Sequence, residues 1–189
     1  MLRMARAEDA RILNAIYAPY IDTPVTFEEE PPTDEEFAAR IAGISGEYPY
    51  IVCEKDGAIL GYAYAHRFAA RAAYGWSAEL SIYMSPAATG SGAGTALYGA
   101  LIDMLALQNV TSLFGIVTAG NPASDGLHRH FGFSTAGVLK ACGYKCGKWR
   151  DVIYYEKHIG APSDPPKPFV PFSALPADDV NGILSRWLR

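Results

Sequence analysis

The chain has 189 residues, of which 50% are hydrophobic and 19% charged, and a formal net charge of −4. That length suits one domain with a real core rather than two, and the composition is globular rather than disordered or fibrous. An acidic balance offers no cationic face to neutralise phosphates, which argues against nucleic acid as a partner.

The N-terminal MLRMARAED is charged and lacks the apolar core of a signal peptide. Residues 80–102 and 104–124 carry no charged side chain. Pro86 and four glycines interrupt the first, and Gly115, Gly120 and Pro122 the second, so both read as buried core rather than membrane spans. Cys53, Cys142 and Cys146 make an odd count without an export signal, which predicts reduced thiols and a cytoplasmic protein. Cys142 and Cys146 stand one helical turn apart, but the neighbouring glycines argue against a helix. No His or Cys pair completes a four-ligand site, so no metal is expected.

Leu2 to Arg6 predicts a short first strand. From Ala7 onward, Ile12, Ala15, Ile16 and Tyr17 follow helical spacing behind acidic residues that suit a helix N-terminus. The loop EEEPP precedes Thr33-Asp34-Glu35-Glu36, a capping box that starts a second helix through Phe37, Ile41 and Ile44. Tyr50 to Glu54 and Ala58 to His66 predict two strands, and Asp56-Gly57 between them predicts a type I′ hairpin turn. Trp76 to Met84 is the next strand, ended by Ser85-Pro86. After a glycine-rich loop, Leu97, Ala100, Leu101, Met104 and Leu105 mark an amphipathic helix. Ser112 to Thr118 predicts a buried strand, and a short helix runs through Leu127 and Phe131. Gly132-Phe133 opens a further strand region, and Asp151 to Ile159 is the last strand. Hairpins mixed with a strand–helix–strand unit indicate an α/β (α+β) fold. The domain is expected to span residues 1–159. Residues 160–189 form a Pro-rich extension, expected to lie extended over the surface and to end in a short helix from Asp178 to Leu188.

Between the Trp76–Met84 strand and the following helix, Thr89-Gly90-Ser91-Gly92-Ala93-Gly94-Thr95 sets glycines at alternate positions. Converging backbone N–H groups at a helix N-terminus suit a diphosphate. A P-loop would need a Lys that is absent. A dinucleotide fingerprint would need its third glycine at position 95, where Thr stands. A loop that binds nothing remains open on these residues alone.

The loop resembles the acetyl-CoA pyrophosphate loop of the GNAT superfamily of N-acetyltransferases, Gln/Arg-x-x-Gly-x-Gly/Ala, with Gly92 and Gly94 at its glycines. Thr89 stands where the family has Gln or Arg. Asn121-x-x-Ser124-x-x-Leu127-His128-x-x-x-Gly132-Phe133 resembles the family's second coenzyme segment, at the right distance. Tyr74-x-Trp76-Ser77-Ala78-Glu79 with Ile82-Tyr83-Met84-Ser85-Pro86, and Gly143-Tyr144-Lys145-x-Gly147-x-Trp149-x-Asp151-Val152, resemble the branch that acetylates phosphinothricin and methionine sulfoximine. The resemblance covers roughly residues 2 to 159. It implies the GNAT fold, a central mixed, mostly antiparallel, twisted sheet flanked by helices. It also implies acetyl-CoA as co-substrate, a small amino-acid-like amine as acceptor, and a homodimer.

Amine acetylation needs a base. The residues alone leave Glu79 open between a buried base and a solvent-facing carboxylate; the resemblance points to the base. The resemblance further assigns the coenzyme to Ile82, Tyr83, Met84, Thr89, Gly90, Ser91, Gly92, Ala93, Gly94, Thr95, Asn121 and Ser124. A strand bulge near Met84 would aim an N–H at the thioester oxygen. His128 stands where many relatives carry a general-acid Tyr, and packing is its other reading. Phe27, Arg71, Tyr74, Lys145 and Trp149 are the expected substrate residues, each with a bland alternative in core packing or a solvated loop. Two other functions stay open: a peptide or protein N-acetyltransferase, and a non-catalytic acyl-CoA-binding module.

Overall fold

The computed structural model describes residues 1–88, 90–161 and 163–187. Seven strands form one sheet in the order β1-β2-β3-β4-β5-β7-β6. They are β1 (Leu2–Met4), β2 (Tyr50–Lys55), β3 (Ala58–Arg67), β4 (Ser77–Met84), β5 (Ser112–Thr118), β6 (Ser134–Lys145) and β7 (Lys148–His158). Every neighbouring pair is antiparallel except β4–β5, which is parallel. Five α-helices accompany them among the described residues: α1 (Ala10–Ile21), α2 (Asp34–Ser45), α3 (Ala93–Leu107), α4 (Pro122–His130) and α5 (Ala177–Arg186). The expected mixed, mostly antiparallel sheet flanked by helices is the sheet found.

Local chemistry accounts for several boundaries. At α2 the capping box closes in both directions, Glu36 N–H to Thr33 Oγ1 at 3.2 Å and Thr33 N–H to Glu36 Oε2 at 2.8 Å. Asp56 and Gly57 have φ of 51° and 78°, the two positive values that a type I′ turn demands. The first helix begins later than expected, because Ala7–Asp9 is a 3₁₀ turn. There the buried Asp9 carboxylate accepts from Arg3 at 2.7 and 2.9 Å and from the Arg6 N–H at 2.8 Å.

Alternation along β2 divides the core between the two sheet faces. Ile51 and Cys53 join Ala63, Ala65, Ala78, Leu80 and Leu113 beneath α3, whose Leu97, Leu101, Met104 and Leu105 are fully buried. Tyr50 and Val52 face the other way with Tyr62, under Leu13, Tyr17, Phe37 and Ile41 of α1 and α2. Tyrosines dominate this second face, with Tyr50 stacked on Tyr62 at 5.7 Å and on Tyr64 at 4.8 Å between ring centroids.

The C-terminal extension does more than cover the surface. Gln108 Nε2 donates to the carbonyls of Glu47 (2.7 Å) and Val170 (2.9 Å), tying the extended segment to the end of α3. Val180, Ile183 and Leu184 of α5 are buried in the α3-side core. The Trp187 indole lies directly on Gly99, leaving no room for a Cβ there, and donates to Asp103 Oδ2 at 2.6 Å. Apolar residues at i, i+3 and i+4 bury one stripe of α5, which is why this part of the extension folds back. Leu188, expected in this helix, lies outside the described residues.

Candidate active site

The site originates in a fork in the sheet. Strands β4 and β5 pair only at Ser77↔Ser112, Ala78↔Leu113 and Glu79↔Phe114. Beyond that point β4 continues with β3 as far as Met84, and β5 continues with β7 as far as Thr118, but the two no longer pair with each other. A cleft of about 480 Å³ opens between them, lined by Leu80–Met84, by Ile116–Thr118, by Gly90, Gly92, Gly94 and Thr95, and by Asn121, Ser124 and His128.

The backbone of β4 supplies polar groups to this cleft. Ser85 N–H donates to the Leu60 carbonyl and Phe68 N–H to the Ser77 carbonyl, so odd-numbered β4 residues bond to β3. Strand alternation therefore aims the N–H and C=O of Ile82 and Met84 into the fork. Ile82 finds no partner there in β5. At Met84 the Tyr20 hydroxyl donates to the carbonyl at 2.7 Å and accepts from the N–H at 3.2 Å. The bulge expected near Met84 is absent, since the β3–β4 register runs without a shift from Gly61↔Met84 to Arg67↔Ala78. With Tyr20 closing over Met84, the strand edge is satisfied without a bulge. Tyr20 is a cleft residue that sequence reasoning does not find, because nothing local in α1 announces a contact 64 residues away.

At the far end of the cleft Gly90 and Gly92 adopt φ of 79° and 82°, and Gly92 is the N-cap of α3. Its left-handed conformation turns the chain into α3, whose first amides lack intrahelical partners; the Ala93 N–H donates to Ser91 Oγ at 3.3 Å, while Gly94 and Thr95 line the cleft. Of the residues assigned to the coenzyme, Ile82, Tyr83, Met84, Gly90, Gly92, Gly94, Thr95, Asn121 and Ser124 line it. Ser91 and Ala93 form the turn behind, where Ser91 Oγ donates to the Ala88 carbonyl at 2.6 Å. Thr89 lies outside the described residues. The Asn121 side chain caps α4, its Oδ1 accepting from Ser124 N–H at 3.2 Å.

Glu79 is the last residue paired on both edges and stands at the base of the fork. Its side chain is 20% exposed, and His66 Nε2 lies 3.7 Å from its Oε1. Burial raises the carboxyl above the usual range for a glutamate, and the neighbouring His66 opposes that rise.

His128 is buried, stacked on Tyr155 with centroids 4.8 Å apart. Its Nδ1 donates to the Ser124 carbonyl at 2.8 Å, which leaves Nε2 to accept from the Tyr98 hydroxyl at 2.9 Å. Both nitrogens are thus satisfied in the neutral tautomer, and burial lowers the imidazole's proton affinity.

The expected substrate residues fall into two groups. The Phe27 ring covers Gly143, and buried Lys145 donates to the Glu28 carbonyl, where β6 meets the α1–α2 connection. Arg71 and Tyr74 lie in the β3–β4 connection. Tyr74 meets Phe68 edge-on at 6.0 Å, and Phe68 stacks at 4.0 Å on Phe114, the β5 neighbour of Glu79. Trp149 is apart from both, 67% exposed and touching Tyr144 edge-on at 5.4 Å.

The family model of the Acetyltransferase (GNAT) domain matches residues 2–154. The chain belongs to the GNAT acetyltransferase family. It is 40% identical over 163 residues to a phosphinothricin N-acetyltransferase of Alcaligenes faecalis, covering 85% of this chain and 83% of that one. It is 29% identical over 163 residues to an L-methionine sulfoximine/L-methionine sulfone acetyltransferase of Pseudomonas paraeruginosa, covering 84% and 94%. The crystal structure of a GNAT superfamily phosphinothricin acetyltransferase from Sinorhizobium meliloti in complex with AcCoA superposes with a TM-score of 0.83 at 37% identity, covering 89% of this chain and 92% of that one.

Proposed function

We propose that this GNAT enzyme transfers the acetyl group of acetyl-CoA to the primary amine of a small amino-acid-like molecule of the phosphinothricin or methionine sulfoximine type, in a ternary complex. The observation that carries this reading is the fork itself, with unpaired strand backbone along one wall, helix N-terminal amides at one end and the half-buried Glu79 carboxylate at its base. These residues fit acetyl-CoA. The Ile82 N–H and C=O would bond the pantetheine arm as an added strand would. The amides of Gly92, Gly94 and Thr95 would hold the diphosphate. Bound there, acetyl-CoA supplies an activated acyl group whose thiolate leaving group needs little protonation, a thiol pKa being about 8.5.

Glu79 is the proposed base. Its raised proton affinity brings it nearer the working pH and suits it to take a proton from the attacking amine. His128 has no proton to offer at Nε2 in its satisfied tautomer, so its geometry supports a packing role for α4 rather than acid catalysis. Arg71, with the aromatic wall of Phe68, Tyr74 and Phe114, is the proposed acceptor site for the substrate's acidic group. The exposed Val138, Leu139, Tyr144 and Trp149 on the outer hairpin β6–β7 are consistent with a homodimer that buries them. The cytoplasm, where Cys142 and Cys146 would stay reduced, is the proposed compartment.

Free-thiol release from acetyl-CoA tests the reading. Phosphinothricin or methionine sulfoximine should be turned over well above other amines. Coenzyme binding without thiol release across amino acids, their analogues and polyamines would turn the reading toward a non-catalytic acyl-CoA module.

A further inference from the structure

Directly opposite Glu79 the β3–β4 register sets His66. Its Nδ1 lies 3.0 Å from the carbonyl oxygen of Arg67. A carbonyl only accepts, so Nδ1 carries the hydrogen and Nε2 is the nitrogen that gains or loses a proton. That nitrogen faces the Glu79 carboxylate at 3.7 Å, within reach through one water or a small ring rotation. The two side chains are 38% and 20% exposed, so the pair leads from the sheet interior toward solvent.

The surroundings isolate the pair. On β3, Tyr64 lies beside His66 with centroids 6.1 Å apart, and Arg67 is turned to Glu47 at 2.6 Å. On β5 the neighbour of Glu79 is uncharged Phe114, with Glu156 of β7 next in the same row. Arg40 of α2 is held by Glu28 at 2.8 Å, and from α3 the Tyr98 phenol is committed to His128. Among the described residues, His66 is the one basic side chain within ion-pair distance of Glu79.

We propose that His66 is a positioning residue which, when protonated, holds the Glu79 carboxylate ionised and turned for the amine proton. The amine N–H bond breaks as the Glu79 O–H forms. The Glu79 carboxyl then returns that proton to water, which reaches the pair through the partly exposed His66 edge. The proposal rests on Glu79 being the base.

Carboxyl-labelled Glu79 is followed by NMR over pH in the wild type and in His66→Gln, together with the pH profile of kcat/KM. In His66→Gln the carboxyl midpoint should rise, because the imidazole that opposes the effect of burial is gone. The acid limb of kcat/KM should move up with it, while acetyl-CoA affinity stays the same. An unmoved carboxyl midpoint overturns the coupling, whatever the kinetics. A moved midpoint with an unmoved acid limb overturns instead the assignment of Glu79 as base, and the catalytic role of His66 with it. His66 is partly exposed, and the fold of the variant is checked by its tyrosine-rich near-ultraviolet spectrum.

Discussion

Along β4 the first half, Ser77 to Glu79, is hydrogen-bonded on both edges, whereas the second half, from Leu80 to Met84, keeps only β3. The same strand thus serves as sheet and as binding wall. The paired half sets the register of Glu79 and partly buries it, which raises its proton affinity. The unpaired half leaves backbone donors and acceptors that a ligand can complete. Reactive carboxylate and binding edge are kept in register because they are consecutive on one strand.

The contrast is broken most severely at the fork. Glu79→Gln should lower kcat by about 10²–10⁴-fold with acetyl-CoA affinity nearly intact, measured by stopped turnover and calorimetry. Turnover equal to wild type would remove Glu79 from the chemistry. The same variant should melt at a slightly higher temperature at pH 7. A carboxyl raised by burial adds stability while protonated, below its unfolded value, and loses that contribution as pH climbs through its folded value. At pH 7 the native enzyme therefore bears the cost of a half-buried charge that glutamine lacks. By the same sign, kcat/KM should rise with pH along a limb set above the ordinary glutamate range.

Away from the fork, α3 is held from behind by the C-terminal extension. Trp187→Ala should cost about 2–3 kcal/mol, read by denaturant unfolding, since the indole covers Gly99 and donates to Asp103. A near-neutral result would show that the extension rides on α3 without supporting it.

Gly92→Ala tests the binding half. A methyl group meets nothing within 4 Å there, so the cost comes from φ of 82° alone, about 1–2 kcal/mol. Acetyl-CoA affinity should weaken by about tenfold with kcat at saturation unchanged. Unaltered affinity would show that the amides after Gly92 do not grip the diphosphate.

The smallest effect is expected at Tyr20→Phe, which removes the hydroxyl bonded to both backbone groups of Met84. Stability should fall by about 1 kcal/mol, with no loss of acetyl-CoA affinity if Ile82 is the coenzyme's partner. Weakened binding would instead show that the hydroxyl itself touches the coenzyme.

Features whose partners are near in sequence are legible in the amino-acid order. The α2 capping box, the Asp56-Gly57 turn and the glycine turn before α3 all rest on contacts within a few residues. The extent of the β6–β7 hairpin is not legible in this way. Strand β7 begins at Lys148 rather than Asp151 because Tyr144↔Trp149 and Gly143↔Arg150 prolong the hairpin around Cys146 and Gly147. The Asp151 carboxylate is used elsewhere, taking the Ala141 N–H and the Lys140 ammonium, each at 2.8 Å. Tyr20 and His66 stay hidden for a related reason, since each acquires its significance only from a strand or helix remote in the chain.

By itself, then, the amino-acid order determined the sequence of elements and the glycine turn before α3, because period, capping and turn chemistry are short-ranged. The family was legible only through the resemblance of its coenzyme motifs. Only the tertiary structure decided that β4 and β5 part after Glu79, that Tyr20 closes over Met84 in place of a bulge, and that the final helix joins the core. Those outcomes depend on which strand edges find partners and which apolar stripe finds a groove. Pairing and burial of that kind are properties of the assembled sheet.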